Sequence, residues 1–309
     1  MKVQFGSPER RPIQTVHQEN EVKDKLRITV LVENTAQGPA LLAEHGLAFW
    51  IEYGPRRVLF DTGQGGVIAN NAYRLGIPLY EADAVVLSHG HYDHTGGLMH
   101  VLRENHPTQV YAHPAALEPK YARNKDGTSR DIGMPYLSEQ SLRKRKDRWV
   151  KTESPTEIFS GLSVTGPIPR GTDFEDTGGP FFLDAGCERP DPLMDDQSLF
   201  FESADGTVVL LGCAHSGVIN TLRYVRQLTG SRPVAALIGG THLVGASEER
   251  LRRTIEEFRA LDIQRVAPAH CTGIPAKVAL WNAFPKRCIP CHVGAQFEFD
   301  RLSVAPGGL

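Results

Sequence analysis

"VVLSHGHYDHTGG", residues 85–97, places His89, His91, Asp93 and His94 within six positions, directly after an apolar run. That run has the composition of a buried strand and stops at Ser88. Gly90 is expected to allow a tight turn where the polar residues begin. On extended backbone, side chains two apart point the same way, so His89 and His91 reach toward one point. Asp93 and His94 lie past the bend and face a neighbouring point. Imidazole and carboxylate at this density suit divalent metal ions, zinc first, with manganese, iron or nickel compatible. The competing reading is a polar turn with incidental histidines, but a glycine-flanked loop gives such crowding no packing purpose.

The surroundings of the loop read as alternating strands and helices. Upstream, "LRITVLVE" (26–33), "LAFWIEY" (47–53) and "RRVLFDTG" (56–63) are strand-like and separated by turn residues, and "VIANNAYRLGI" (67–77) is helical. The loop's own strand is "ADAVVLS" (82–88); a helix at 97–105 and a strand at 108–113 follow. In the second half, strands are predicted at 162–166, 198–203, 207–213, 232–239 and 264–270, with helices at 216–228 and 247–261. Leu251, Ile255, Phe258 and Leu261 share one face of the last helix, and Ser247 suits its N-cap. Two β-rich halves with flanking helices predict a layered α/β sandwich rather than one doubly wound sheet. Residues 1–24 read as a polar N-terminal arm. Residues 25–309 read as a single domain, with a charged insertion at about 114–155 containing "KYARNKDGTSRD" and "LRKRKDRW". The insertion is either a solvated surface segment or a lid whose Lys and Arg side chains hold an anion.

Composition narrows the function classes. The 309 residues carry a formal net charge of −2, with 40% hydrophobic and 23% charged residues. Such a balance gives no electrostatic footprint for nucleic acid and no basic helix for a membrane surface. No apolar run approaches the ~20 residues of a spanning helix, and the first 20 residues lack the apolar core of an export signal. A cytoplasmic protein acting on a small molecule is expected. Five cysteines fit a reducing compartment. "CIPCH" (Cys288, Cys291, His292) has the spacing of c-type haem attachment, but without an export signal, packing thiols are the expectation, with a redox or metal clip as the alternative.

The HxHxDH pattern followed by Thr95-Gly96-Gly97-Leu98, with "VLFDTG" (58–63) upstream, resembles the metallo-β-lactamase superfamily. "LVENTA", "AEHGLAFWIE", "LLGCAHSGVINTL", "GGTHLVGAS" and "APAHCTG" are similar to its branch described as 7,8-dihydropterin-6-yl-methyl-4-(β-D-ribofuranosyl)aminobenzene 5′-phosphate synthases, some of which look like phosphodiesterases. The resemblance implies a four-layer αββα sandwich and a two-metal centre. It also implies that Asp61 supports the metal loop through hydrogen bonds. His215 and His270, each following a strand, would complete the ligand set, giving His89, His91 and His215 at one ion and Asp93, His94 and His270 at the other. Many members have a histidine near "VTGPIP" (164–169) and an aspartate where this chain has Cys213. His215 would then replace the missing histidine, and Cys213 either ligates or merely adjoins the ions. Histidine at position 91, where di-iron oxygen-reducing relatives carry Glu, favours hydrolytic chemistry.

These residues lead to the expectation of a binuclear metal-dependent hydrolase of a phosphoester, with Asp93 orienting the nucleophile. His242 is a candidate to protonate the leaving group or bind phosphate, and His45 to line the pocket. His17, His100, His106 and His113 are expected to be surface or packing groups. The alternatives are a synthase or transferase acting on a phosphoribosyl pterin-type substrate, and a non-catalytic metal-loaded binding or sensor protein.

Overall fold

The computed structural model describes residues 25–102 and 107–302. The expected N-terminal arm, and His17 and His106, lie outside the described residues. The first half contributes β1 (Lys25–Val32), β2 (Ala48–Tyr53), β3 (Arg56–Phe60), β4 (Ala84–Val86), β5 (Gln109–Ala112), β6 (Tyr121–Arg123), β7 (Ser129–Asp131) and β8 (Trp149–Lys151). The second contributes β9 (Thr156–Phe159), β10 (Leu162–Val164), β11 (Phe181–Phe182), β12 (Leu199–Ser203), β13 (Gly206–Leu211), β14 (Val234–Gly240), β15 (Val266–Ala269) and β16 (Gln296–Asp300). The helices are α1 (Ile68–Arg74), α2 (Tyr92–Thr95), α3 (Leu98–Val101), α4 (Tyr136–Arg143), α5 (Val218–Leu228), α6 (Glu248–Ala260) and α7 (Ile274–Ala283).

The strands form a seven-stranded sheet ordered β16-β1-β2-β3-β4-β5-β8 and a six-stranded sheet ordered β15-β14-β13-β12-β10-β9. Each is mixed: β3, β4, β5 and β8 run parallel in the first, and β13, β14 and β15 in the second. A small third sheet, β11-β6-β7, is antiparallel.

Strand periodicity explains the layers. In β2, Phe49, Ile51 and Tyr53 enter the core between the two large sheets, while Ala48 and Trp50 face a second core under α1, α3 and α4. In β13, Val208 and Leu210 join the inter-sheet core, and Val209 and Leu211 meet a third core under α5, α6 and α7. A strand buried on both faces needs apolar residues at every position, which is why "TVVLL" reads as an unbroken run. The result is the expected four-layer αββα sandwich. Ser247 caps α6 as predicted, its hydroxyl accepting from the Arg250 N–H at 3.1 Å.

Several expectations are revised. Residues 114–155 carry β6, β7, α4 and β8, and β8 pairs in parallel with β5 to complete the first sheet. Gly90 works by lacking a side chain: a Cβ there would overlap the Ala116 carbonyl, so the loop packs tightly against the following segment. The two thiols of "CIPCH" separate, Cys288 packing under the outer helices and Cys291 between the sheets. Both are free, buried thiols, facing different cores, so they form neither a redox pair nor a shared clip. No helix among the described residues is long and apolar enough to cross a membrane.

Candidate metal centre

The predicted site residues converge where the parallel strands of both sheets end. Asp61 follows β3, His89 and His91 follow β4, and Cys213 and His215 follow β13. His242 follows β14, and His270 follows β15. Loops at the carboxyl ends of parallel strands are the usual location for such sites, because the sheets fix the backbone while the loops stay free to vary. Asp61, His242 and His270 all adopt left-handed φ (59°, 46° and 47°), backbone that non-glycine residues hold only under external constraint.

That constraint is a network that also sets the histidine tautomers. The Ser88 N–H donates to Asp61 Oδ1, and the Ser88 hydroxyl to Asp61 Oδ2, both at 2.7 Å. The hydroxyl is thereby left to accept from His89 Nδ1–H at 2.9 Å. His94 Nδ1–H donates to Asp61 Oδ2 at 2.7 Å. His215 Nδ1–H donates to the Thr177 carbonyl, and His270 Nδ1–H to Asn34 Oδ1, each at 2.8 Å. In all four histidines an outward nitrogen is committed to an acceptor, so Nε2 is the one available to the cavity. Asp61 thus supports the loop as the resemblance implied.

The available atoms form overlapping sets. One ligand atom each from His89, His91 and His215 lies within 4.8 Å of the others, as expected of one ion's ligands. Asp93 and His270 come together with His45. Asp93 Oδ2 lies 3.2 Å from His270 Nε2, 3.1 Å from His45 Nε2 and 3.8 Å from His94 Nε2. Cys213 lies between the sets, its Sγ 3.1 Å from His94 Nε2, and it also groups with His89, with His215 and His242, and with His270 and Cys271. The buried His215 Nε2 has no hydrogen-bond partner. With Nδ1–H of His270 committed outward, the Asp93–His270 contact brings two acceptors together, which needs a proton or a metal cation between them. The donor set fits divalent ions.

The electrostatics divide along the same lines. Burial holds His89 and His215 well below the ordinary imidazole range and brings His91 down to about 3, so these three rings are neutral and keep a lone pair free for a cation. Burial opposes charge on His94, but Asp61 and Asp93 outweigh it and bring the imidazole up to about 9. Burial likewise opposes charge on Asp93, yet His94, His270 and His45 hold its carboxyl well below the usual range. Burial pushes the Cys213 thiol up. Buried Cys271 is held low by Cys213 and His242.

A cavity of about 340 Å³ opens over this centre, lined also by Tyr92, Arg130, Ile132, Phe181 and Val244. His242 lines it and donates Nε2–H to the Gly178 carbonyl at 3.2 Å, while its buried Nδ1 has no hydrogen-bond partner. His45 lines it too. His113 and His100 lie apart: the His113 ring accepts from the Ala115 N–H at a helical turn, and His100 is exposed. Cys271, Asn34, Thr177 and Phe181 went unread in the sequence. Cys271 had a signal, being adjacent to His270; the others owe their positions to tertiary contacts alone.

Comparison with known proteins agrees with this geometry. The chain is 34% identical over 270 residues to an uncharacterized protein of Methanocaldococcus jannaschii, covering 86% of this chain and 98% of the relative. It is 29% identical over 287 residues to the same organism's 7,8-dihydropterin-6-methyl-4-(β-D-ribofuranosyl)-aminobenzene-5′-phosphate synthase, covering 89% and 97% of the two chains. The crystal structure of Tm1679, described as a metal-dependent hydrolase of the β-lactamase superfamily, superposes with a TM-score of 0.73 at 29% identity, covering 89% of this chain and 99% of that one. The profile of the metallo-β-lactamase superfamily matches residues 42–270, spanning every candidate ligand, and the chain belongs to that superfamily.

Proposed function

We propose that the protein is a binuclear metal-dependent hydrolase of a phosphoester. The observation that carries this reading is the close donor set His89/His91/His215 beside Asp93, whose Oδ2 lies 3.2 Å from His270 Nε2 and 3.8 Å from His94 Nε2, under a cavity that His91, Asp93, His215 and His270 line. In this reading those six residues hold two divalent ions, zinc before manganese, iron or nickel, and Cys213 lies between them. When bound, such ions supply Lewis acidity and lower the pKa of water into the neutral range. Asp93, ionised at neutral pH, orients the attacking water toward the electrophilic centre. His242 exchanges a proton through Nδ1 with the leaving oxygen, its Nε2–H remaining on the Gly178 carbonyl. Phe181 shields the histidines from bulk water, its ring centroid 5.2 Å from those of His91 and His215. The substrate is a small molecule, and neither nucleic acid nor a membrane is required.

The test is metal analysis of purified protein together with hydrolysis of bis(4-nitrophenyl) phosphate after reconstitution. About two equivalents of metal and turnover that Asp93→Ala abolishes are expected; metal binding without turnover would favour a binding or sensor protein. The likeness to the synthase supports a second reading, group transfer on a phosphoribosyl pterin-type substrate. Product analysis with such a substrate separates the two, since hydrolysis incorporates solvent oxygen and transfer does not.

A further inference from the structure

The small third sheet forms a roof over the metal cavity. In its register Phe181 pairs with Ala122, and Ala122 pairs with Arg130. Directly paired residues of antiparallel strands share a face, so Phe181, Ala122 and Arg130 form one row. Ala122 in the middle leaves the row low between a ring and a guanidinium. Phe181 packs over His91 and His215, and Arg130 stands two strand spacings away, roughly 9–10 Å, at the rim.

Among the described residues Arg130 is the only Lys or Arg lining the cavity, and its guanidinium makes no hydrogen bond or ion pair with another of them. The carboxylates nearest in sequence are committed elsewhere: Asp131 accepts from the Gly133 N–H and Asp126 from Thr128. Its strand is nonetheless locked to the metal loop. The Tyr92 N–H donates to the Ile132 carbonyl at 3.0 Å, and the Ile132 N–H donates to the Lys120 carbonyl at 2.8 Å. The Lys120 ammonium binds Asp195, which accepts from the Gly90 N–H at 2.7 Å. Arg130 is exposed, and its backbone, fixed from both sides of His91, anchors the guanidinium at the cavity rim, where it can reach a ligand.

We propose that Arg130 is a specificity-determining residue that binds a second oxyanion of the substrate, a phosphate or carboxylate remote from the bond that reacts at the metal centre. The inference rests on the metal-centre reading and adds to it a substrate class: small molecules bearing two anionic groups, one at each end of the roof. Guanidinium matches a carboxylate or phosphate through two parallel N–H bonds, so both sources are chemically suited.

The test compares thymidine 5′-(4-nitrophenyl phosphate) with its 3′-phosphorylated and 3′-hemisuccinyl derivatives, which share one scissile ester and differ in the remote anion. On metal-reconstituted wild type, the 3′-phosphate or 3′-carboxylate is expected to raise kcat/KM, mainly through KM, by about ten- to a hundredfold. Which derivative gains more identifies the anion. In Arg130→Gln the advantage falls to near one, and Arg130→Lys recovers part of it. Calorimetric affinities of thymidine 3′,5′-bisphosphate and thymidine 5′-monophosphate should give the same ratio and the same loss without turnover. An advantage that survives Arg130→Gln, or no advantage in wild type by either measure, overturns the proposal. Absence of turnover with all three esters counts against the hydrolase reading alone, and the calorimetric ratio then decides Arg130.

Discussion

Replacing Lys120 with Met should cost much of the fold's stability and loosen the metal loop together. The Lys120 side chain is 1% exposed, with Nζ 2.9 Å from Asp191 Oδ2 and 3.0 Å from Asp195 Oδ1, and those carboxylates are 3% and 0% exposed. The triad balances two buried negative charges with one positive, and each acid adds a backbone partner, Leu193 for Asp191 and Gly90 for Asp195. Methionine fills similar volume but leaves both acids without a cation. Breaking one buried pair costs about 3–5 kcal/mol, so a shared cation belongs at the upper end of that range. Lys120 is what holds Asp195 low against burial, so without it the carboxyl titrates upward. The signs then differ. In wild type, the lowered Asp195 contributes stability above its unfolded pKa of about 4, and that contribution is lost as pH falls through the lower folded value. In the variant the folded pKa exceeds the unfolded one, so acidification from neutrality relieves the penalty. Urea unfolding at about pH 7 and about pH 5 should show a large deficit that narrows on acidification, with part of it restored by adding Asp195→Asn. Metal retention against a chelator should fall in parallel, because Gly90 lies between His89 and His91. A deficit below about 1 kcal/mol at neutrality, or one indifferent to pH, would refute the reasoning.

Asp61→Ala removes the acceptor that fixes Ser88 and His94 and should weaken metal affinity by about ten- to a hundredfold, measured by chelator competition. Because His94 titrates at about 9, the metal-free protein carries a proton there at neutral pH, and uptake should release it. Calorimetry in buffers of different ionisation enthalpy would detect at least one proton released per His94-bound ion at neutrality, the His94 contribution declining above pH 9. In the metal-free protein the same raised pKa contributes stability that is full below about 6.5 and lost as pH rises through about 9. Cys288→Ala and Cys291→Ala should destabilise additively, by about 1 kcal/mol each, and in the unsubstituted protein the two thiols should resist pairing under oxidants, since they face different cores. Ser247→Ala should cost about 1 kcal/mol in thermal or urea unfolding through loss of the α6 cap.

What was legible in the sequence follows from how locally each feature is determined. The doubly buried runs of β13 and β14 and the metal loop itself announce their roles within a dozen residues. The α7 segment does not: Ile274, Val278 and Trp281 are exposed on it while Ala276 and Leu280 are buried, so its apolar residues trace no single face. Strand β11 is two residues long and is defined by its pairing with β6 and a bridge from Phe182 to Pro190. β16 was readable, since Phe297 and Phe299 alternate with exposed Gln296, Glu298 and Asp300, but its value lies in closing the edge beside β1. At the site, His89, His91 and His94 showed themselves by spacing, and His215 and His270 by following strands and by the resemblance. Their hydrogen-bond acceptors Asn34 and Thr177, and the roof residue Phe181, carry no local mark because distant pairings bring them in, and Arg130 was legible only as one of several charges in the 114–155 segment.

The bond from His270 to Asn34 spans 236 positions, and the neighbouring one from the His270 N–H to Glu33 spans 237. During synthesis, the loop at 89–94 therefore emerges long before its remaining partners exist. Chain topology of this kind slows folding, since distant ends must meet before their contacts give any return. A nascent polypeptide would carry half-built ligand sets through much of its elongation: the His89/His91/His215 set lacks a member until position 215 is made, and the set with Asp93 lacks His270 until position 270.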